Sequence, residues 1–343
     1  MSIRLAILGL DPIQRDYLAA VLALAESNLI VPVAVGHRTL ALARDTADIL
    51  RVPPFDDMRS LLRESTPQVL LLDRPDNVSA DFLAACLEQN LGILSLGPPV
   101  KNVAEARTLA SVLEDQTHLL YIAPAFIHTP GFAHGTHPDL VARPLRFASA
   151  DFHAFNHAAA KSAGNDASQQ TLVRSLSVLA WDVLSAFLDL LDLPESIFAS
   201  LRGTTAAGDI FTDISGAAGL VLRFTDADSG TIVATASLSD RAPARRSLLL
   251  LTPSGSARLD DFSCQAFAAD GSPLDATTYP IPQPADLAAA TIKTFLEQFL
   301  APTSPHRGWP HRLEPLAACM EALLISHRTG QPENPERFLN LRR

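Results

Sequence analysis

The sequence has 343 residues, of which 48% are hydrophobic and 19% are charged, and its formal net charge is −10. This length and composition allow two ordinary domains with sizeable cores and exclude global disorder. The acidic balance argues against nucleic acid and anionic membranes as partners, because both are bound by basic surfaces. No apolar run approaches the roughly 20 residues that span a bilayer, and the N-terminus lacks the long apolar stretch of a signal peptide, so we expect a cytoplasmic protein.

Residues 1–123 predict an α/β, Rossmann-like domain built on a doubly wound parallel sheet. Short, wholly apolar runs alternate with segments of helical periodicity, a pattern typical of a parallel sheet that is covered on both faces. Right-handed crossovers then place helices on each side. The predicted strands are 3–9, 29–36, 68–73, 92–97 and 118–123, and the predicted helices are 12–26, 39–50, 79–89 and 103–113.

Residues 124–343 predict an α+β domain with a mostly antiparallel, open sheet. A long amphipathic helix is expected at 172–193, and two closing helices, which are candidates to pack back on the first domain, at 286–300 and 313–330. Alternating or apolar segments separated by turn residues indicate the strands. These strands are 145–152, 196–203, 216–225, 230–239, 245–253, 256–261 and 264–270.

The cysteines give no sign of a cross-linked or zinc-knuckle protein. Cys86, Cys264 and Cys319 are widely separated and odd in number. This usage is typical of buried thiols in a reducing compartment.

The order of these elements resembles the glucose–fructose oxidoreductase / inositol dehydrogenase (Gfo/Idh/MocA) family over nearly the whole chain. The resemblance is carried most clearly by SGAAGLVLRFTDADSGTIVATASL (215–238), LLLLTPSGSARLDD (248–261) and EPLAACMEALLISHRTGQP (314–332). It implies an NAD(P)-dependent oxidoreductase that acts on a sugar, a polyol or a related small substrate. It also implies a homodimer that pairs through the open face of the second-domain sheet.

The turn after the first strand departs from a dinucleotide-binding fingerprint. A pyrophosphate needs glycine-rich backbone at a helix N-terminus, so that N–H groups can approach the phosphates. Gly9 keeps the tight turn, but the second glycine position holds Asp11 and the third holds Gln14. The Asp11 carboxylate would face a diphosphate at close range. We favour the alternative, in which Asp11 is the N-cap of a structural helix.

The end of the second strand bears on the choice of cofactor. His37 and Arg38 follow the strand where an acidic residue would bind the ribose of NAD, and an arginine there suits the 2′-phosphate of NADP. If a cofactor binds, NADP is therefore favoured over NAD. The alternative is that both residues lie on a solvated loop. The resemblance also places Pro75 and Pro99 beside the cofactor. The competing expectation is that no cofactor binds.

Two further departures concern the proton-handling residues that the resemblance implies. The family has Glu-Lys-Pro after its fifth strand, whereas this chain has Gly97-Pro98-Pro99, so Lys101 is the nearest candidate for the catalytic lysine. On the long helix, the position of the family's histidine base holds Asp182. A buried carboxylate with a raised pKa can act as a base. The alternatives are a surface-loop Lys101 and a structural or ligand-bonding Asp182, and we favour both.

Histidines are concentrated between residues 128 and 157. We weigh three interpretations: the lining of a small-ligand pocket, ordinary surface-loop composition, and a zinc site made by His134 and His137 with His128 or Asp139. Short-spaced histidines in Gly/Pro-rich loops without a cysteine are a weak zinc pattern, so we predict no metal site. The residues proposed to line the pocket are His128, His153, His157, Lys161 and Trp181.

Two functional hypotheses remain. The first is a non-catalytic or strongly divergent protein that keeps the fold and binds a small ligand. The second is an active NAD(P)-dependent oxidoreductase that uses non-standard residues. The phosphate-binding glycines, the lysine and the histidine are three separate requirements, and their joint loss favours the first hypothesis.

Overall fold

The computed structural model describes residues 2–9, 15–73, 78–113, 117–123, 126–138, 140, 144–155, 166–202, 216–226, 230–239, 241–301 and 312–340. The chain divides into two compact units. The first comprises Met1–Pro124 and Pro282–Leu313, and the second comprises Ala125–Ile281 and Glu314–Arg343. Among the described residues, no helix combines the length and the apolar character needed to cross a bilayer.

The first unit contains a six-stranded parallel sheet with the order β3-β2-β1-β4-β5-β6. This order reverses direction between β1 and β4, as it does in dinucleotide-binding doubly wound folds. The sheet confirms the predicted Rossmann-like fold class. Its strands are β1 (Ile3–Leu8), β2 (Ile30–Gly36), β3 (Pro54–Phe55), β4 (Val69–Leu72), β5 (Gly92–Ser95) and β6 (Leu120–Ile122).

Helices cover the sheet of the first unit. Five helices follow the strands in turn. The sixth comes from late in the chain and packs beside the first helix. Its Phe295 contacts the Tyr121 ring on the edge strand β6. The short helix α3 lay outside the predicted elements; its N-cap Asp57 accepts the N–H groups of Arg59 and Ser60. The helices are α1 (Arg15–Glu26), α2 (Leu40–Leu50), α3 (Met58–Ser65), α4 (Ala80–Glu88), α5 (Val103–Leu113) and α8 (Pro284–Leu300).

The second unit contains an eight-stranded sheet with the order β14-β13-β12-β11-β7-β10-β9-β8. Of its described strand pairs, β7 with β10 is parallel and the others are antiparallel, which confirms the predicted mostly antiparallel sheet. The strands are β7 (Phe147–Phe155), β8 (Ser196–Arg202), β9 (Ala217–Asp226), β10 (Gly230–Ser239), β11 (Arg241–Thr252), β12 (Gly255–Asp260), β13 (Ser263–Ala268) and β14 (Pro273–Thr278).

The helices of the second unit pack on this sheet. The long helix α7 lies against β7, β9 and β10, whose inward side chains are buried. The C-terminal helix α9 is tied to β8, because the buried Ser326 hydroxyl accepts the Ala199 N–H at 3.0 Å. The helices are α6 (Pro130–Gly135), α7 (Asp166–Leu191), α9 (Leu313–Thr329) and α10 (Glu336–Asn340).

Candidate functional site

The carboxyl ends of β1, β2 and β4 meet at the switch point of the first sheet. Gly9 adopts a positive φ of 75°, and its N–H donates to the Gly36 carbonyl at 2.8 Å. The Asp73 N–H donates to the Leu8 carbonyl at 3.0 Å. Doubly wound folds bind their ligands outside this edge of the sheet. Gly9 therefore lies where the sequence analysis placed it, while Asp11 and Pro75 lie outside the described residues.

The two residues predicted to read the cofactor ribose differ in their surroundings. His37 is buried, and its Nδ1 accepts the Thr39 N–H at 2.9 Å, so the ring stabilises the turn that leads into α2. Arg38 is exposed beside it. Gly36, the residue before His37, must be small, since a Cβ there would lie 2.8 Å from both Leu8 Cδ2 and Leu61 Cδ1. Of the two residues, His37 is therefore committed to the turn, and Arg38 is the exposed one.

Two buried polar residues at this sheet edge were missed by the sequence analysis. Asp73, directly after β4, is completely buried. Ser95, the last residue of β5, is also completely buried, and its hydroxyl donates to the Gly97 carbonyl at 2.8 Å. Asp73 ends the apolar run of β4, and Ser95 interrupts an apolar run that continues with Leu96; a polar residue in such a run was the available sequence pattern. Because both side chains are completely buried, this structure gives them a structural place at the sheet edge and no exposed surface for a ligand.

Lys101 begins the loop that enters α5. Its backbone N–H donates to Glu105 Oε2 at 2.8 Å, and the Glu105 N–H donates to Asn102 Oδ1 at 2.9 Å. This reciprocal arrangement is a variant of the capping box, and it fixes the backbone of Lys101 at the helix start. Lys101 is half-buried, and Pro99 before it is buried.

In the second unit, Asp182 belongs to a buried charge cluster. Its side chain on α7 is 3% exposed. Asp182 Oδ1 accepts the Phe126 N–H at 2.6 Å, and Oδ2 accepts Nη1 of Arg246 at 2.7 Å. Arg246, on β11, also donates its Nε–H to Oδ2 of Asp261 at 3.3 Å, and its Nη2 makes an ion-pair contact with Oδ1 at 2.9 Å. The guanidinium carbon lies 5.7 Å from the centre of the Phe126 ring, within cation–π range.

The electrostatics of this cluster are set by burial and by the mutual attraction of its members. Burial raises the pKa of Asp182, while the Arg246 guanidinium and the Phe126 N–H act in the opposite direction. Burial disfavours the charged form of Arg246, but its two carboxylate partners raise its pKa above the ordinary arginine value. Both oxygens of Asp182 therefore accept bonds, one from a backbone N–H and one from a buried guanidinium.

The residues proposed to line a ligand pocket lie on different elements and differ in exposure. Trp181 is buried on α7. His128 is exposed on the short turn of 3-10 helix before α6, and His153 is half-buried on β7 opposite Arg245 of β11. His157 and Lys161 lie outside the described residues.

One histidine of the pair weighed for zinc contacts a residue outside the set considered from the sequence, where no metal site was predicted. His137 is exposed, whereas Nε2 of His134 lies 3.0 Å from Oδ2 of Asp275 on β14. Cys264, on β13, completes a group in which one ligand atom of each residue lies within 4.8 Å of the others. Neither Cys264 nor Asp275 was selected from the sequence as a site residue.

Neither a scan of protein-family models nor a search of curated proteins gave a match. Solved structures do match over almost the whole chain. An oxidoreductase from Thermotoga maritima is 17% identical, with 98% of this chain and 100% of that chain covered and a TM-score of 0.75. Levoglucosan dehydrogenase in complex with NADH and levoglucosan is 15% identical, with 97% and 99% covered and a TM-score of 0.75. UDP-N-acetylglucosamine 3-dehydrogenase from Acidithiobacillus ferrooxidans is 17% identical, with 96% and 99% covered and a TM-score of 0.70.

These neighbours are oxidoreductases of the Gfo/Idh/MocA type, and this chain has their fold: a Rossmann-like unit followed by a unit with a mostly antiparallel sheet. The low identities restrict this likeness to the fold itself.

Proposed function

We propose that this protein is a Gfo/Idh/MocA-like oxidoreductase homologue that binds a small ligand and lacks the usual hydride-transfer activity. The observation that carries the proposal is the state of Asp182. The family resemblance aligns it with a histidine base, yet its carboxylate is buried and accepts bonds from the Phe126 N–H and Arg246. A base must have a lone pair within reach of the substrate proton, and here the ion pair would have to open first.

Two features of the first unit support the same proposal. Pro98 stands at the position of the family's lysine, and proline has neither a side-chain donor nor a backbone N–H. The sequence also places the negative charge of Asp11 at a glycine position of the phosphate-binding turn. Proton handling and phosphate binding are separate requirements, so these two departures are independent arguments.

The alternative is an active NAD(P)-dependent oxidoreductase that uses Asp182, Lys101 or a loop histidine. It is favoured by the strand order of the first sheet and by the positive φ of Gly9 at the switch point. Among the structural neighbours, levoglucosan dehydrogenase binds NADH and GenD2 from gentamicin A biosynthesis binds NAD. If a cofactor binds here, exposed Arg38 favours NADPH over NADH.

Titration of the purified protein with NADH and NADPH, followed by nicotinamide and tryptophan fluorescence, separates the two functions. We expect no saturation up to millimolar cofactor. Asp11→Gly should bind about tenfold more tightly, or by about 1.4 kcal/mol, a size within the range of a single screened charge contact, so saturation should become visible for this variant within the same millimolar range. Gln14→Gly is the matched control, because it restores a glycine without removing a charge. Micromolar binding by the parent chain, or steady oxidation of a sugar or polyol, would overturn the proposal.

We also infer a homodimer formed through the outer face of the second-unit sheet. Phe198, Val221 and Val233 lie on this face and are 38%, 45% and 38% exposed. Phe198 pairs with Val221 across β8 and β9, so these two side chains are neighbours on this face, whereas Val233 on β10 lies opposite Arg223. Contiguous exposed apolar side chains of this kind are typical of a covered interface.

Light scattering after gel filtration tests the dimer. The parent chain should elute with twice its 36.8 kDa mass. Val221→Asp should shift the mass toward that of one chain, because a charge would be buried at the interface. Ile49→Asp, which alters a 53% exposed side chain on α2, should leave the mass unchanged. A monomeric parent chain would refute the inference.

The proposal also covers the cellular compartment of the protein and the class of its ligand. Cys86, Cys264 and Cys319 are free and buried, as expected of a protein in the reducing cytoplasm. The ligand is a small molecule, and His128 and His153 are the described histidines retained as candidates for contacting it.

A further inference from the structure

Three side chains from three separate elements of the second unit converge on one point. They are His134 on α6, Cys264 on β13 and Asp275 on β14, and one ligand atom of each lies within 4.8 Å of the others. Nε2 of His134 is 3.0 Å from Oδ2 of Asp275. The His134 and Asp275 side chains are 32% and 23% exposed, whereas Cys264 is completely buried. The group therefore has a thiol on the protein side and two donors toward solvent.

Glycines on α6 bring this group together. A Cβ on Gly131 would lie 2.0 Å from the Asp260 carbonyl oxygen, and one on Gly135 would lie 1.9 Å from Leu259 Cδ2 and 3.1 Å from the Cys264 sulfur. The helix thus rests directly on β12 and β13. His134 precedes Gly135, so the position of its backbone is fixed by this close packing. Donors held by a rigid scaffold are the requirement of a preorganised metal site.

We propose that His134, Cys264 and Asp275 bind one Zn²⁺ ion, with the fourth position open to water or an exogenous ligand. Imidazole, thiolate and carboxylate are the three side-chain ligands that zinc accepts, and three protein ligands plus an open position are typical of a non-structural zinc site. Bonds of about 2.0–2.3 Å set the donors roughly 3.5 Å apart. A pair at the 4.8 Å limit has to close by about 1.3 Å, and the fixed backbone leaves this movement to the partly exposed His134 and Asp275 side chains. This site does not depend on the function proposed above.

Neighbouring groups orient the ligands further. The Thr277 hydroxyl donates to Asp275 Oδ1 at 3.1 Å and leaves Oδ2 directed at His134. The Tyr279 ring stands edge-on to the His134 ring, with centroids 6.2 Å apart. Such outer contacts hold metal ligands in place and tune their affinity. An ion at this point would tether β14, the edge strand of the sheet, to α6.

A nucleophilic cysteine would also use a histidine and an aspartate, but the burial of Cys264 argues against that role. A reactive thiol must be partly exposed and have a lowered pKa. Cys264 is completely buried, and a thiolate there would meet the repulsion of the nearby Asp275 carboxylate. A divalent cation between the sulfur and Asp275 would turn that repulsion into attraction, which is why these residue types fit a metal better than a nucleophile.

Metal binding is to be measured on tag-free protein stripped with a chelator and then titrated with Zn²⁺ against a chromogenic chelator. We expect one equivalent per chain, and about 100-fold or more weaker binding in Cys264→Ala and in His134→Gln. The matched controls are Cys319→Ala, which alters another completely buried thiol of the same unit, and His137→Gln, which alters the neighbouring exposed histidine. Both controls should bind zinc like the parent chain.

Cobalt substitution of the parent chain provides a readout that needs no variant to fold. Co²⁺ should give a thiolate-to-metal charge-transfer band together with the intense visible bands of a tetrahedral site. Far less than one equivalent of zinc, a cobalt spectrum without the thiolate band, or unchanged zinc affinity in a folded Cys264→Ala variant would each overturn the proposal.

Discussion

The Asp182→Ala variant should lose about 3–5 kcal/mol of unfolding free energy, the range measured when one partner of a buried ion pair is removed. The side chain is 3% exposed and accepts two hydrogen bonds in a place that is closed to solvent. Its loss leaves the Phe126 N–H without this acceptor and Arg246 with one carboxylate partner fewer in the core. Guanidinium denaturation followed by circular dichroism measures the loss, provided that the slope with denaturant is unchanged.

One further variant separates the charge of Asp182 from its packing, and a second is a surface control. Asp182→Asn keeps the shape and one acceptor oxygen, so we expect a smaller loss than for alanine. Asp45→Ala, at an exposed position on α2, should change stability by less than about 0.5 kcal/mol. A loss below about 1 kcal/mol in Asp182→Ala would contradict a structural role for the cluster. It would also remove the main argument for an inactive site.

The sequence predicts best the elements whose burial pattern is regular, either uniformly buried or alternating. β4 is apolar and buried along its whole length, and β1 is so at every residue except the exposed Arg4, because both faces of the parallel sheet are covered. β10 alternates strictly, because one face is packed and the other is not. β3 and β14 were not predicted. β3 has two residues, and every residue of β14 is at least partly exposed, so neither carries an apolar pattern.

Site residues are harder to predict because their partners are distant in sequence. The helical spacing around Asp182 placed it on the long helix, but Arg246 is 64 residues away and reaches it only through the register of β11 on β7. Asp275 is 141 residues from His134. A search for zinc ligands by local spacing could therefore consider only neighbouring histidines, while the cysteine and the aspartate arrive through sheet pairing and the packing of α6.

Alanine at Gly131 should destabilise the second unit by about 3 kcal/mol or more, the upper end of the range for overpacking. The new Cβ would lie 2.0 Å from the Asp260 carbonyl oxygen, which is backbone and cannot rotate away. Helix α6 would have to lift from β12. Gly135→Ala should cost less, because its nearest clash is with the rotatable Leu259 side chain. Denaturant midpoints of the two variants and the parent chain give the order.

Gly219→Ala is the matched control for the folding of the single chain, since a Cβ there meets no atom of its own chain within 4 Å, although Gly219 lies on the same face of β9 as Val221. Alanine in an exposed strand position should be neutral or stabilising by about 0.5 kcal/mol. The loss of stability should therefore decrease from Gly131→Ala through Gly135→Ala to Gly219→Ala, according to the atoms that each new Cβ contacts. Gly131→Ala should also weaken zinc binding, because His134 moves with α6. If Gly131→Ala were as stable as Gly219→Ala, α6 would not rest on β12 as described, and the rigid placement of His134 beside Cys264 would lose its physical basis.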